Sequence, residues 1–246
     1  MFAPQMRLIS LAGLLTAVFA NTALAQGQPV AWSPSYGGAC AECDLSGRNL
    51  AGWTLNGANY SGARFDYAFM RGVRATAVNM QNANVTGADL RGADLTSARL
   101  ADAVFNNARM QDVLASGADF SRARMQGANL EKARLIGVNF KGATLLFARL
   151  ETADLSGANC TDTVLDRANL RGTIFDGANL TEASFTGADL TDASFRDARL
   201  PGADLTGVTG AESADFAGAC GSLTTRLPAG ISLAMCDTQT IIAKAD

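Results

Sequence analysis

The chain contains no histidine. That removes the usual general base near neutral pH and the commonest protein metal ligand. It has only five cysteines and five prolines in 246 residues, and 7% of its side chains are aromatic. Charged residues make up 17%, with 20 basic against 23 acidic. Such a balance is too mild to imply nucleic acid and too negative for an anionic membrane surface. Serine and threonine are plentiful, yet nothing resembles a nucleophile elbow or a Ser-x-x-Lys arrangement. The glycines recur at regular places and form no isolated phosphate-cradling loop before a helix. Paired carboxylates such as Asp189 and Asp192 fall out of the same regularity and are expected to face solvent. No active site, metal or cofactor is expected.

Long apolar runs are also scarce. The one near the start, Leu8 to Ala20, follows Arg7 and precedes Ala23-Leu24-Ala25. It is too short to span a bilayer comfortably, and reads as a secretory signal over residues 1–25 with cleavage before Gln26. Met1 and Met6 both stand as possible starts for it. No cysteine follows the cleavage site, which argues against a lipid anchor there. Without Arg7 the mature chain is one charge more negative than the −3 of the full sequence. An exported, periplasmic or extracellular protein with no membrane insertion after cleavage is expected.

What is abundant is a beat of five. Residues 84–100 read NVTGADLRGADLTSARL, with Ala88, Ala93 and Ala98 each followed two places later by Leu90, Leu95 and Leu100. Neither a helix nor a strand has that period. Large apolar residues fall on multiples of five from Leu45 to Leu205, 33 repeats without a slip. Ala75, Ala115 and Cys160 are the small exceptions. The place two residues earlier is mostly Ala, with Val73, Val78, Val113, Val138 and Val208, and with Cys43, Arg48 and Trp53 at the start. Such a pattern fits a coil with straight sides and a corner in each repeat. The large residue points inward at mid-side and the small one points inward by the corner. Glycine is frequent two places after the large residue, where a corner needs permissive dihedrals. Coils stacked at strand spacing would make a rod on the order of 40 Å long.

The A-[DN]-L-x-G beat over residues 43–205 resembles that of the pentapeptide repeat family. The resemblance implies an all-β, right-handed, four-sided parallel β-helix, here of about eight coils. Residues twenty apart should then lie over each other. The inward ladder includes Leu90, Leu95, Leu100, Phe120, Leu130, Phe140, Cys160 and Leu180. Outside it, Asn59, Asn79, Asn139, Asn159 and Asn179 share a column, Arg74 lies over Asp94, and Arg134 lies over Asp154.

Both ends of a stack need protection. Residues 26–42 form a lead-in, with Trp32 and Tyr36 available to cover the first coil. Near the other end Gly207-Val208-Thr209-Gly210 inserts one residue before Ala214-Asp215-Phe216 resumes. Residues 206–246 form a C-terminal cap and tail, in which 220–236 is expected to be a short hairpin tied by Cys220 and Cys236. Exported members of the family end in a similar Cys–turn–Cys segment. Cys40 and Cys43 form a CxxC, but no βαβ setting for redox chemistry is present. A zinc site would need Cys220 and Cys236, at the far end of the rod. Structural disulfides among these four are the expected role in an oxidising compartment, and Cys160 is expected to be an inert buried thiol.

Binding is the remaining class. Val104, Leu146, Phe147 and Val164 are apolar at outward places on one side and make a candidate protein-docking patch. The leading expectation is a non-enzymatic exported scaffold or protein-binding rod. Its partner would be another protein, or a second copy docking through a coil end or the side patch. The alternative is an accessory rod offering its cysteines for thiol exchange. A third reading, the DNA mimicry known in the family, is opposed by the export signal. Arg64, Arg74, Arg99, Arg109, Arg124, Arg134 and Arg149 oppose it too, because they break any acidic stripe.

Overall fold

The structure is a computed structural model that describes residues 40–236. The expected signal, residues 26–39 with Trp32 and Tyr36, and the tail 237–246 lie outside the described residues.

In the repeats from Leu45 to Leu200 the large residue accepts a hydrogen bond from the small residue three places on, as Ala58 N–H donates to Leu55 O at 3.1 Å. The residue between them at the second corner place has a positive φ, from Glu42 at 61° to Gly207 at 68°. An i to i+3 bond with positive φ only at the third residue is the pattern of a type II turn. Seventeen of the positive-φ residues are not glycine, among them Tyr67, Phe147 and Thr152. Left-handed dihedrals cost such residues about 1–2 kcal/mol each. The stack therefore imposes the corner whether or not glycine supplies it. Gly87 is a corner that does need glycine: a Cβ there would lie 2.6 Å from the Tyr67 ring stacked against it.

Four turns bring the chain round once. Outward residues pair in parallel with those twenty places later, from Asp44 with Arg64 through Asp189 with Thr209. The five amides of a repeat then find partners by rule. Taking the repeat of Leu95, Leu95 N–H donates to Leu114 O, Ser97 N–H to Ser116 O, Ala98 N–H to Leu95 O, and Arg99 N–H back to Val78 O. The fifth amide, at the first corner place, has no backbone acceptor in this scheme. Thr96 N–H donates instead to the Asp94 carboxylate at 3.0 Å. Asn49, Asn84, Asn129, Asn159 and Asn179 serve the amides two places on in the same way. In some repeats without an Asp or Asn at the outward place, the acceptor comes from the corner of the preceding coil. Asn56 takes Thr76 N–H, Asn106 takes Gln126 N–H, and Asp166 takes Thr186 N–H. The Asp or Asn of the beat is thus the acceptor that a buried-backbone coil would otherwise lack.

All 33 large places, Leu45 to Leu205, are buried, and so are the small places from Ala58 to Ala203. The inward residues Leu90, Leu95, Leu100, Phe120, Leu130, Phe140, Cys160 and Leu180 are completely shut from solvent. Phe105, Phe120 and Phe140 form one aromatic run, and Phe175, Phe185 and Phe195 another, with centroids 5.1–6.0 Å apart. Burial of each large side chain stabilises by about 1.5–3 kcal/mol, so the filled bore outweighs any wall contact in holding the fold. Thr163 and Thr173 interrupt the small column. Their hydroxyls are buried but donate to Phe140 O at 2.9 Å and Leu150 O at 2.8 Å.

The C-terminal end departs from expectation in one respect. Past the inserted residue, Ser194 pairs with Asp215, Arg199 with Cys220, and Asp204 with Arg226. Phe216 stacks on Phe195 at 4.9 Å, so the bore continues beyond the beat. Two short strands follow, β1 (Cys220–Gly221) and β2 (Ala234–Met235), and they pair in parallel. A hairpin would be antiparallel, so the segment 220–236 is not a hairpin but a shortened circuit in the same sense as the coils. Hydroxyls replace the carbonyls displaced by the irregularity. Asp192 N–H donates to Ser213 Oγ at 2.9 Å, and Gly202 N–H to Ser222 Oγ at 3.0 Å and Thr225 Oγ1 at 3.2 Å.

Substitutions separate the two roles. Leu130→Asp places a charge in the bore and should lower the melting temperature by more than about 10 °C, a loss of several kcal/mol. Asn129→Asp keeps the acceptor for Glu131 N–H and should shift it by less than about 2 °C. Asn129→Leu should fall between, near a loss of about 1–2 kcal/mol. Thermal unfolding followed by circular dichroism reads all three, and equal melting temperatures for the two Asp variants would contradict the places assigned here.

Candidate binding surface

Cys40 and Cys43 are joined, with Cα atoms 5.4 Å apart, and Cys220 is joined to Cys236 at 4.7 Å. The first closes the opening turn of the described coils; the second ties β1 to the end of β2. Cys160 is wholly buried, and burial alone pushes its thiol up to about 12. At neutral pH it carries no thiolate to attack with. Among the described residues no group of three or more Cys, Asp or Glu could hold a metal ion.

The four apolar outward residues do not form one continuous patch. Val104 and Val164 share a side, but the pairing runs Val104, Arg124, Thr144, Val164, so two polar rungs lie between them. Both valines and Leu146 are half-buried. Phe147 is the exposed member, at a corner with φ 58°, and the Arg167 guanidinium stands 5.5 Å from its ring centre. Larger exposed apolar groups lie elsewhere. Tyr67 and Phe69 are 68% and 56% exposed, near the first described coils, while Leu223 and Met235 are exposed near the last. Leu114, Ile136 and Ile174 are exposed on or beside a third side. Tyr67 and Phe69 occupy a corner and an outward place of the five-beat, so the same periodicity contains the signal that finds them.

The outer charges are interleaved. Arg64, Arg74, Arg99, Arg109, Arg124, Arg134 and Arg149 are all exposed. Arg74 pairs with Asp94 in backbone register, as does Arg134 with Asp154, yet neither couple is among the ion pairs within 4.0 Å of the described residues. Those form within a corner, as Arg91 with Asp89 at 2.5 Å, or between adjacent coils, as Arg122 with Asp102 at 2.7 Å. The amide column is partly connected: Asn79 donates to Asn59, Asn159 to Asn139, and Asn139 to Asp119, at 2.8–3.1 Å. One shallow depression of about 360 Å³ lies beside the inserted residue, bounded by Ile174, Asp176, Asp192, Arg196, Ser213 and Asp215. Its groups are engaged with one another: Asp176 accepts from Ser194 Oγ and Arg196 N–H, and Asp215 from Arg196 Nε. The described walls therefore carry interleaved charges of both signs.

The family model for pentapeptide repeats matches in eight copies that together run from residue 40 to residue 220. The chain belongs to the pentapeptide repeat family. Members of that family fold as right-handed, four-sided β-helices, which agrees with the twenty-residue circuit. HetL, a pentapeptide repeat protein involved in heterocyst differentiation regulation in Nostoc sp. strain PCC 7120, is 27% identical over 74% of this chain and 86% of its own, with a TM-score of 0.35. A trypsin-treated form of QnrB1, a plasmid-mediated fluoroquinolone resistance protein, is 20% identical over 77% of this chain and 89% of its own, at 0.52. A pentapeptide repeat protein of the Arabidopsis thaliana thylakoid lumen is 37% identical over 38% of this chain and 65% of its own, at 0.26. Comparison with curated proteins gives no match.

The wall carboxylates set the response to acid. The hydrogen bond from Arg91 holds Asp89 below the ordinary 3.8, that from Arg122 does so for Asp102, and that from Thr206 for Asp204. A depressed folded value stabilises the fold fully above the unfolded value, and this contribution is lost as pH falls through the folded one. With no histidine to titrate, the melting temperature should stay level from about pH 7 to about 5 and decline below about 3.8. A melting temperature that rises on acidification below about 3.8 would refute this.

Proposed function

We propose that this pentapeptide repeat protein is an exported, non-enzymatic scaffold or protein-binding rod of about eight coils. The observation that carries this reading is the filled bore. With every large inward place from Leu45 to Leu205 shut from solvent, the wall and the ends are the surfaces left to meet other molecules. Interleaved charges of both signs and exposed aromatics such as Tyr67 and Phe69 suit a protein partner better than a polyanion. The leader at residues 1–25 supports action in the periplasm or outside the cell. Family membership supports the absence of catalysis, because pentapeptide repeat proteins are generally structural or binding proteins.

DNA mimicry, the activity that the family resemblance raises, is disfavoured by the exposed arginines spread over the walls and by the expected signal at residues 1–25. The cysteine-bearing rod for thiol exchange is the second reading, and the half-exposed Cys40–Cys43 pair favours it. Mild crosslinking of the exported fraction followed by affinity capture should recover a protein partner, and the mature chain should begin at Gln26. A chain retained in the cytosol, or capture of nothing from the exported fraction, would contradict the proposal.

A further inference from the structure

Among the described corners, the first alone is spanned by a disulfide. Gly47, Gly52, Gly57 and Gly62 occupy the next four left-handed corner places, but here the residue is Glu42, at φ 61°. A side chain there is strained relative to glycine. The turn bond that closes the corner, Cys43 N–H to Cys40 O, is 3.3 Å, as is that of Val113 N–H to Met110 O. The Cys40–Cys43 bond spans the same four residues. A covalent link thus reinforces a non-glycine corner that, as the first described, has a coil to bond to on one side only.

Three backbone bonds join this corner to the next coil: Cys40 N–H to Asn59 O, Glu42 N–H to Ser61 O, and Arg64 N–H to Cys43 O, at 2.8–2.9 Å. Both sulfur-bearing residues are half-exposed, within reach of an external thiol. The other disulfide differs on each count. Cys220 and Cys236 are 16 residues apart, and their bond joins parallel strands further held by Cys236 N–H to Gly221 O. A longer closed loop also restricts the unfolded chain more than a four-residue one does.

We propose that the Cys40–Cys43 disulfide is a redox latch that holds the first described corner onto the coil stack. Reduction needs an external dithiol. Its thiolate attacks one sulfur, the S–S bond breaks to give a mixed disulfide, and its second thiol resolves that intermediate. The dithiol leaves as its own disulfide, having passed two electrons and two protons to Cys40 and Cys43. Without the crosslink residues 40–43 are left with the three backbone bonds to the next coil, and they detach. Asn59 O, Ser61 O and Arg64 N–H become the open edge of the stack, groups of the kind that accept an added strand. This inference is independent of the scaffold reading, since it concerns the corner and not what the walls bind.

The test is hydrogen exchange on the full chain in dithiothreitol buffers of graded strength, with mass labelling to report which disulfide has opened. Cys40–Cys43 should open first. In that state the Arg64 amide should exchange on the order of tenfold faster or more. The Asn84 amide, which makes the equivalent bond to Ala63 O one coil on, should be unchanged. The double variant Cys40→Ser with Cys43→Ser should show the same pattern without reductant. Unchanged protection at Arg64, equal loss at Asn84, or earlier opening of Cys220–Cys236 would each overturn the latch.

Discussion

A chain that turns a corner every five residues leaves little regular secondary structure with which to satisfy its own backbone. In this protein the problem is solved by stacking. Four amides of each repeat bond to backbone carbonyls within the corner or in the coils above and below. In many repeats the fifth bonds to an Asp or Asn side chain on the wall. The tight corner lets the large residue reach the axis. Sealing the axis follows from the same geometry, because the place beside the corner is filled by a small side chain, mostly Ala with some Val. Thr163 and Thr173 are admitted there because each finds a carbonyl one circuit back.

The ends show what happens when the rule lapses. After one inserted residue the carbonyls no longer fall under the waiting amides, and the hydroxyls of Ser213, Ser222 and Thr225 take their places. At the opposite end a disulfide supports a corner that lacks glycine. Irregular chemistry is concentrated where periodic chemistry fails, and the walls between are left free to vary. This division explains why a filled repeat core is compatible with many outer surfaces.

Much of the fold is legible in the residues, because a period of five identifies the inward column directly. The place of Leu95 or Phe140 follows from counting. Other features are not legible. The parallel course of residues 220–236 is hidden because a cysteine spacing bounds a loop without giving its direction. The left-handed corners at Tyr67 and Phe147 are hidden because aromatic residues give no local sign of that dihedral; the stack imposes it. The docking patch is overread for a similar reason: outwardness follows from the period, whereas continuity between Val104 and Val164 depends on the intervening rungs, Arg124 and Thr144. The identity of a partner is written in no single side chain, since no catalytic or ligating constellation stands out on the described walls.

The claim on which all of this rests is that inward and outward places alternate by fives along a closed tube. Cysteine scanning of residues 128–132 with a water-soluble thiol reagent tests it most directly, one variant at a time. Cysteines at 128 and 130 should stay unreactive until the protein unfolds, as Cys160 should, while those at 129, 131 and 132 should react in the folded state. Uniform reactivity across the five, or protection recurring every third or fourth residue, would contradict it.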